Sequence, residues 1–237
     1  MYKRKKVLYI NKLPIIKMHY PEKYIVDLNE QEIISLHLES SYGINELKDI
    51  YVRSTLSFLF EAIQHCRHNN HTKDLVPIMS SLSMLEQIGI CYERTDLSTN
   101  LTNGIKRALI LFGEFESDND ILDILPALRN GLLHNVSLVS KAKYPNQSNY
   151  IFRYSNEEDN VSGIYKNSLR IWDGNFETLS NNGREHYTTL INTNELNDLL
   201  YKCLRNAEEL NNKGLLKIRL DGGKEELFYN YLMSKSK

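Results

Sequence analysis

Apolar residues recur at three- and four-residue steps in four successive segments of the chain, which is the spacing of one helix face. The first segment runs from residue 45 to about 69 and the second from about 74 to 93. A third predicted helix covers about 101–115, and a fourth follows the polar loop 117–120. Because proline lacks the amide proton of a helical hydrogen bond, Pro126 is expected in the first turn of the fourth helix or at a break just before it.

Capping residues predict two further helices. Asn29 is a candidate N-cap with Glu32 at the capping-box position, so a short helix is expected from Asn29 to about residue 40. The sequence Asn192-Thr193-Asn194-Glu195 opens a long helix with a regular apolar face, and Gly214 ends it.

Residues 144–192 differ from the rest because strand-forming residues are separated there by turn signals. The segments 150–154, 164–172 and 187–191 are the predicted strands of a small antiparallel β-element, inserted before the last long helix. The tail, 215–237, is expected to add a short strand and a short helix. The predicted fold is therefore mainly α, an antiparallel helical bundle with a small β-element.

The predicted domain organisation is an N-terminal arm, residues 1–44, with a short strand and helix, followed by a helical domain over 45–237. The chain has 237 residues, of which 41% are hydrophobic and 25% charged, as in an ordinary globular protein. Its formal net charge is −1, which excludes a molecule that binds nucleic acid by overall charge. The run Lys3-Arg4-Lys5-Lys6 is a local basic patch, and a solvated arm is the favoured interpretation of it.

The sequence also predicts a cytoplasmic protein that does not contact membranes. No stretch approaches the roughly 18 uninterrupted apolar residues of a membrane span, and nothing resembles a signal peptide. The three cysteines are odd in number and far apart, which favours reduced thiols. We expect no cofactor and no metal: the cluster His65-Cys66, His68 and His71 is more typical of a solvated helix end than of a zinc site.

The strongest chemical signal is the sequence Arg129-Asn130-Gly131-Leu132-Leu133-His134, late in the fourth helical segment. No other arginine of the chain has a histidine five, six or seven positions later. On an α-helix Asn130 and His134 share a face, while Arg129 is displaced by roughly 140° from His134 and must reach round with its long stem. Gly131 is expected to leave the adjacent surface open to a backbone or a phosphate. Because the leucines anchor the helix, Arg129 and His134 should be replaceable without loss of folding.

These residue types suit cleavage of RNA by its own 2′-hydroxyl. That reaction needs a base, an acid and cationic donors for the phosphorane. Histidine can serve in either proton-transfer role, and arginine presents a planar fork of donors that matches a phosphate.

The motif resembles the active-site motif of the HEPN superfamily, compact helical domains of which many are metal-independent RNases. The resemblance covers about residues 45–140 and the helix from about 193, and it implies a HEPN-like bundle. It also implies an endoribonuclease in which Arg129 binds the scissile phosphate and His134 acts as general acid or base, with Asn130 as the third site residue. HEPN nucleases commonly pool two motif helices across a two-fold interface, so a homodimer and an RNA substrate are implied. The family is rich in toxins and antiviral-defence effectors, which makes an antitoxin or regulatory protein a possible partner.

Two alternatives remain open at the level of the sequence. One is a non-catalytic HEPN-like protein that binds a nucleotide or acts as a scaffold, in which Arg129 and His134 hold the nucleotide or the dimer. The other is a helical protein-interaction module. The β-element offers Tyr150, Tyr154, Tyr165 and Trp172 as candidates for a binding surface.

Overall fold

A computed structural model describes residues 19–40, 43–145, 147–155 and 161–237. The helices of these residues are α1 (Glu30–Leu38), α2 (Thr55–Cys66), α3 (Leu75–Cys91), α4 (Gly104–Leu111), α5 (Ile121–Arg129), α6 (Phe176–Asn182), α7 (Thr193–Asn212) and α8 (Gly223–Tyr231). The strands are β1 (His19–Tyr20), β2 (Asn45–Leu47), β3 (Ile50–Ser54), β4 (Tyr92–Arg94), β5 (Val139–Ser140), β6 (Tyr150–Ser155), β7 (Tyr165–Lys166), β8 (Thr188–Asn192), β9 (Leu216–Ile218) and β10 (Leu232–Ser236). The basic run Lys3-Arg4-Lys5-Lys6 lies outside the described residues.

The helix α3 forms the centre of the molecule and is buried on most of its circumference. It packs against α2, α4, α5 and α7, as expected of a helix that is apolar nearly all round. The contact with α4 is very close, because a Cβ added at Gly89 would lie 1.8 Å from the carbonyl oxygen of Gly104. Two glycines thus let the backbones of α3 and α4 touch.

Several predicted helices are confirmed, with somewhat shorter bounds. The Asn29 side chain accepts a hydrogen bond from the Glu32 amide (2.9 Å), and the Glu32 carboxylate accepts one from the Asn29 amide (3.0 Å), so the capping box of α1 is complete. The helix α7 begins after Asn192, and Gly214 follows its end with a left-handed φ of 70°. The predicted helices at 74–93 and 101–115 correspond to α3 and α4.

The prediction of one helix from 45 to 69 was wrong in its first ten residues, which form β2 and β3. These strands lie in a four-stranded sheet of order β1-β2-β3-β10, in which β3 pairs antiparallel with β10 over five residues. The strand β10 that pairs with β3 is therefore far away in sequence, and the paired residues run from Leu232↔Ser54 to Ser236↔Ile50. Local periodicity cannot report such a partner, and it is the pairing that stabilises the strand. The helical part of the segment begins only at Thr55.

The β-element following the motif is a sheet of order β5-β6-β8-β7, and the prediction that it is antiparallel was wrong for its central pair. Strands β6 and β8 run parallel, with Ile151 opposite Thr188. The connection between them contains α6 and is long enough for the crossover that parallel strands require. Apolar alternation predicts that a segment is a strand, but it does not predict the direction of the strand's neighbour. The sheet also starts earlier than expected, at Val139.

Two further contacts complete the description of the fold. Strands β4 and β9 form a two-stranded ribbon. The helix α1 packs against α7, α8 and β9. The tail contains the predicted strand and helix as β9 and α8, and β10 is an additional strand. Within the described ranges, no helix has both the length and the apolar character needed to cross a bilayer. Helices make up the larger part of the regular structure, so a mainly α fold is observed.

Candidate active site

The motif lies where α5 passes into a single π-helical turn, Asn130–His134. The helix begins at Ile121, whose amide donates to the side chain of Asn119 (3.0 Å). Pro126 is the sixth residue of α5, so the prediction that it stands in the first turn or before the helix was wrong. The reason is that the neighbouring Leu125 is fully buried, and packing of the apolar face outweighs the one hydrogen bond that proline removes.

The wide turn brings the three predicted site residues into contact. A π-helix bonds residues five apart, so positions 129 and 134 come to one side instead of diverging as on an α-helix. The Nη1 atom of Arg129 lies 2.7 Å from Nε2 of His134 and 3.1 Å from Oδ1 of Asn130. Asn130 and His134 are exposed, while Arg129 is partly buried. The π-turn therefore replaces the long reach that α-helical geometry would demand of Arg129.

The contact between Arg129 and His134 fixes the state of the imidazole. A guanidinium N–H can only donate, so Nε2 of His134 must be the acceptor. The ring is then neutral in this arrangement and carries its proton on Nδ1. Its Nε2 lone pair, which a general base would use, is occupied by Arg129.

Glu86 is a fourth site residue that the sequence reasoning missed. Its Oε2 accepts a hydrogen bond from Nε of Arg129 (2.8 Å) and forms an ion pair with Nη2 (2.7 Å), which ties the motif to α3. Both side chains are about one-fifth exposed (Arg129 22%, Glu86 20%), so this ion pair is shielded from much of the solvent. One signal was available in the sequence: Glu86 is the only charged residue of α3, whose other positions are apolar or neutral.

These contacts use nearly all the donors of Arg129. The guanidinium has five N–H groups. Asn130 and His134 take the two on Nη1, and Glu86 takes the one on Nε and lies 2.7 Å from Nη2 as an ion-pair partner. A phosphate that binds Arg129 in the two-pronged manner must therefore displace a partner, and Asn130 and His134 are the partners that are exposed to solvent.

The turn ends in a strained residue. Val136 has a left-handed φ of 49°, which is costly for a β-branched side chain. Its amide donates to the Leu132 carbonyl (3.0 Å), and the Ser137 amide donates to the Gly131 carbonyl (2.9 Å), so the chain folds back over the turn. The prediction that Gly131 lets a backbone come close is confirmed, since a Cβ there would lie 2.6 Å from the Ser137 carbonyl oxygen, but the surface beside it is not open, because Gly131 is buried. The backbone that approaches the glycine is the protein's own.

A groove of about 830 Å³ opens beside the motif. One wall carries Asn130 and His134, and the N-terminus of α4 contributes Asn103 and Lys106. Lys106 is neutralised by Asp123, since its Nζ lies 2.6 Å from a carboxylate oxygen. The volume falls within the ~300–1,000 Å³ typical of ligand sites. The motif is thus exposed to a cavity large enough for more than a single ion.

The loop between β5 and β6 also lines the groove. It contributes Lys141, Lys143 and Tyr144, and Tyr150 at the start of β6 lines the groove as well. No carboxylate of the described residues lies within 4.0 Å of either lysine ammonium. These two lysines give the groove a cationic wall.

Apart from Tyr150, which lines the groove as a binding-surface candidate should, the other residues singled out from the sequence do not join this site. Trp172 is 1% exposed and packs with Ile151 and Tyr187 in a small cluster, so the prediction that it offers a binding surface was wrong. His65 lies at the end of α2, and its Nε2 is 3.4 Å from Glu61. Among the residues that the structure describes, no three His, Cys, Asp or Glu side chains are grouped so as to hold a metal ion.

The chain has no significant match among protein-family models, curated proteins or solved structures. The site is therefore interpreted from its own geometry.

Proposed function

We propose that this protein is a metal-independent endoribonuclease of HEPN type, acting as a toxin or an antiviral-defence effector. The observation that carries the proposal is the contact between Arg129 and His134 at the edge of a groove with a cationic wall. The position of the motif at the end of a helix packed in a bundle supports a HEPN-like architecture. We also propose a cytoplasmic location, with an antitoxin or regulatory protein as a further partner.

In the proposed reaction the three motif residues have different roles. His134 either accepts the proton of the 2′-hydroxyl or donates a proton to the leaving 5′-oxygen, because an imidazole can act as a base or as an acid. Arg129 binds the scissile phosphate and stabilises the charge that develops on it. Asn130 accepts from Nη1 of Arg129 and so helps to hold the guanidinium beside His134.

Substrate binding and activation of His134 are coupled in this proposal. A phosphate in the groove competes with His134 for the Nη1 donor of Arg129, since Nη1 is already committed to Asn130 and His134. When Nη1 turns to the phosphate, Nε2 of His134 recovers its lone pair. Glu86 keeps the remainder of the guanidinium in place through Nε and Nη2. In this proposal Nε2 of His134 can accept a proton only when a phosphate has taken its place at Nη1 of Arg129.

The decisive experiment is cleavage of single-stranded RNA in the presence of EDTA, comparing wild type with His134→Ala. Losing an acid–base group typically costs on the order of a hundredfold or more in rate. The products should carry 2′,3′-cyclic phosphate ends, because the 2′-hydroxyl is the nucleophile. The matched control is His65→Ala, another exposed histidine near a helix end, which should cleave like wild type.

Two results would contradict the proposal. One is cleavage that stops in chelator and returns with a divalent ion. The other is a His134→Ala variant that folds normally and cleaves at the wild-type rate.

A second candidate function is non-catalytic nucleotide binding or scaffolding, and one observation favours it. Arg129 is tied to Glu86 of its own chain by a hydrogen bond and an ion pair, as a structural arginine would be. In that case the wild type binds nucleotides or a partner but cuts no RNA under any condition, while Arg129→Ala loses stability.

A further inference from the structure

We infer that the loop between β5 and β6 forms a subsite for the nucleotide next to the scissile phosphate of a single-stranded RNA. Lys141 and Lys143 contact its backbone phosphate, and Tyr144 stacks on its base. This inference rests on the proposed function for the location of the scissile phosphate, but not for the binding itself.

The first support is continuity with the motif. The same groove is lined by His134 and Asn130 of the motif and by Lys141, Lys143 and Tyr144 of the loop. At about 830 Å³ the groove is much larger than one phosphate requires. A strand whose phosphate sits at the motif would therefore continue along the loop.

The second support is the electrostatic state of the two lysines. Within the described part of the chain they have no carboxylate partner, in contrast to Lys106, which is paired with Asp123. The Lys141 ammonium lies 4.5 Å from the ring centroid of Phe176 and the Lys143 ammonium 5.8 Å from that of Tyr144. Aromatic faces attract a cation without neutralising it. Both charges thus remain available to an anion.

The third support is that the loop is held in place and offers an open ring. The Ala142 amide donates to the Asn149 side chain (2.9 Å), and the Lys143 amide donates to the Gln147 side chain (3.0 Å). Tyr144 is 55% exposed. Alternating cations and exposed aromatic rings are the arrangement by which proteins follow a single strand, with phosphates on the lysines and bases on the rings.

The test is binding of a fluorescently labelled single-stranded 2′-O-methyl RNA, which cannot be cleaved because it has no 2′-hydroxyl. The double variant Lys141→Ala/Lys143→Ala should bind about tenfold or more weakly, and its slope of log Kobs against log salt should shrink by about 0.7, because both lysines contact the same phosphate. Tyr144→Ala should weaken binding by about tenfold through lost stacking. The matched controls are Lys235→Ala, an exposed lysine of β10, and Tyr229→Ala, an 81% exposed tyrosine of α8, which should bind like wild type.

The outcomes separate this inference from the proposed function. If the wild type fails to bind, or binds with the same affinity and salt slope as both loop variants, the subsite is refuted even if His134-dependent cleavage is observed. If the loop variants lose binding while no RNA is ever cut, the subsite stands and the nuclease proposal fails. Where cleavage occurs, the loop variants should raise KM and leave kcat nearly unchanged.

Discussion

At the scale of single residues, Arg129 serves both the chemistry and the fold. It reaches His134 and Asn130 with Nη1 while Nε and Nη2 bind Glu86 on α3. The expectation that Arg129 can be removed without an effect on folding therefore needs correction. Replacing it leaves the carboxylate of Glu86 partly buried without a partner, and an unpaired charge of that kind is costly.

We predict that Arg129→Ala lowers the free energy of unfolding by about 1–3 kcal/mol, because Glu86 loses both donors. The double variant Glu86→Ala/Arg129→Ala should be less destabilised than the sum of the two single variants, by about 1 kcal/mol. Urea unfolding of the four proteins completes this cycle. His134→Ala is the matched control and should unfold like wild type, since its side chain is exposed. Strict additivity would show that the ion pair contributes nothing.

Val136 provides a second prediction at this scale. It has a left-handed φ of 49° and is 71% exposed, so its side chain gains little from packing. Val136→Gly should raise the free energy of unfolding by about 1 kcal/mol, because glycine adopts this conformation without strain. Thermal unfolding measures the change. A lower free energy of unfolding in the variant would contradict the assignment of strain. Reduced cleavage by the variant would show that Val136 holds the π-turn in shape.

The candidate site illustrates what single-residue patterns can and cannot show. Arg129, Asn130 and His134 were predictable because their spacing is local and their chemistry is distinctive. Glu86 was not, because it is 43 residues away and meets Arg129 only through the packing of α3 on α5. The π-turn and the left-handed Val136 were also missed, since helix periodicity does not distinguish four-residue from five-residue hydrogen bonding.

At the scale of elements, the contact of α3 with α4 positions the site. Glu86 lies one turn before Gly89 on α3, and Gly104 is the first residue of α4. The helices approach so closely at these glycines that any side chain must push them apart.

We predict that Gly89→Ala lowers the free energy of unfolding by about 3 kcal/mol, the upper part of the range for overpacking a core. The added Cβ would lie 1.8 Å from the backbone oxygen of Gly104, which cannot move as a side chain can. The matched control is Gly222→Ala, an exposed glycine where the closest atom is the Cβ of Glu226 at 2.9 Å, a much milder contact than 1.8 Å from a backbone oxygen. Equal effects of the two substitutions on the urea midpoint would rule out this explanation.

The elements that were predicted correctly are those with local signals. Each of these signals lies within one short stretch of sequence: the capping box of α1, the apolar face of α7 and the length of α3. The strands β2 and β3 and the parallel pairing of β6 with β8 were not predictable in this way. Strand β3 pairs with the distant β10 as well as with its neighbour β2, and neither direction nor pairing follows from alternation.

At the scale of the whole molecule, two buried titratable groups act on stability in opposite directions. Burial lowers the pKa of His37 to about 3, and the ring is in contact with the Tyr92 hydroxyl and lies 2.7 Å from the amide nitrogen of Gln87. Burial, together with the nearby charge of Glu39, raises the pKa of Glu208 to about 7. Between pH 5 and 6.5 the unfolded chain binds more protons at His37, so acid destabilises the fold there. In the same range the folded protein binds more protons at Glu208, so acid stabilises it.

We predict that Glu208→Gln exposes the effect of His37. The variant should lose unfolding free energy by about 1.4 kcal/mol per unit as the pH falls from 6.5 to 5, while the wild type changes much less. Urea unfolding at several pH values in this window measures both slopes. Parallel curves for the two proteins would show that Glu208 does not offset His37.

The last prediction concerns assembly. One motif supplies a single histidine, whereas cleavage needs both an acid and a base, so we propose that two copies of the chain share one site. If only homodimers of wild type are active, adding about a tenfold excess of His134→Ala protein to a fixed amount of wild type should lower cleavage about tenfold, by drawing wild-type chains into mixed dimers. Substrate is kept saturating, so that the variant cannot act by sequestering RNA. Sedimentation of the wild type at micromolar concentration should show a dimer. Cleavage that is unchanged by excess His134→Ala would mean that each chain works alone, and a second proton-transfer group would then have to be sought within one groove.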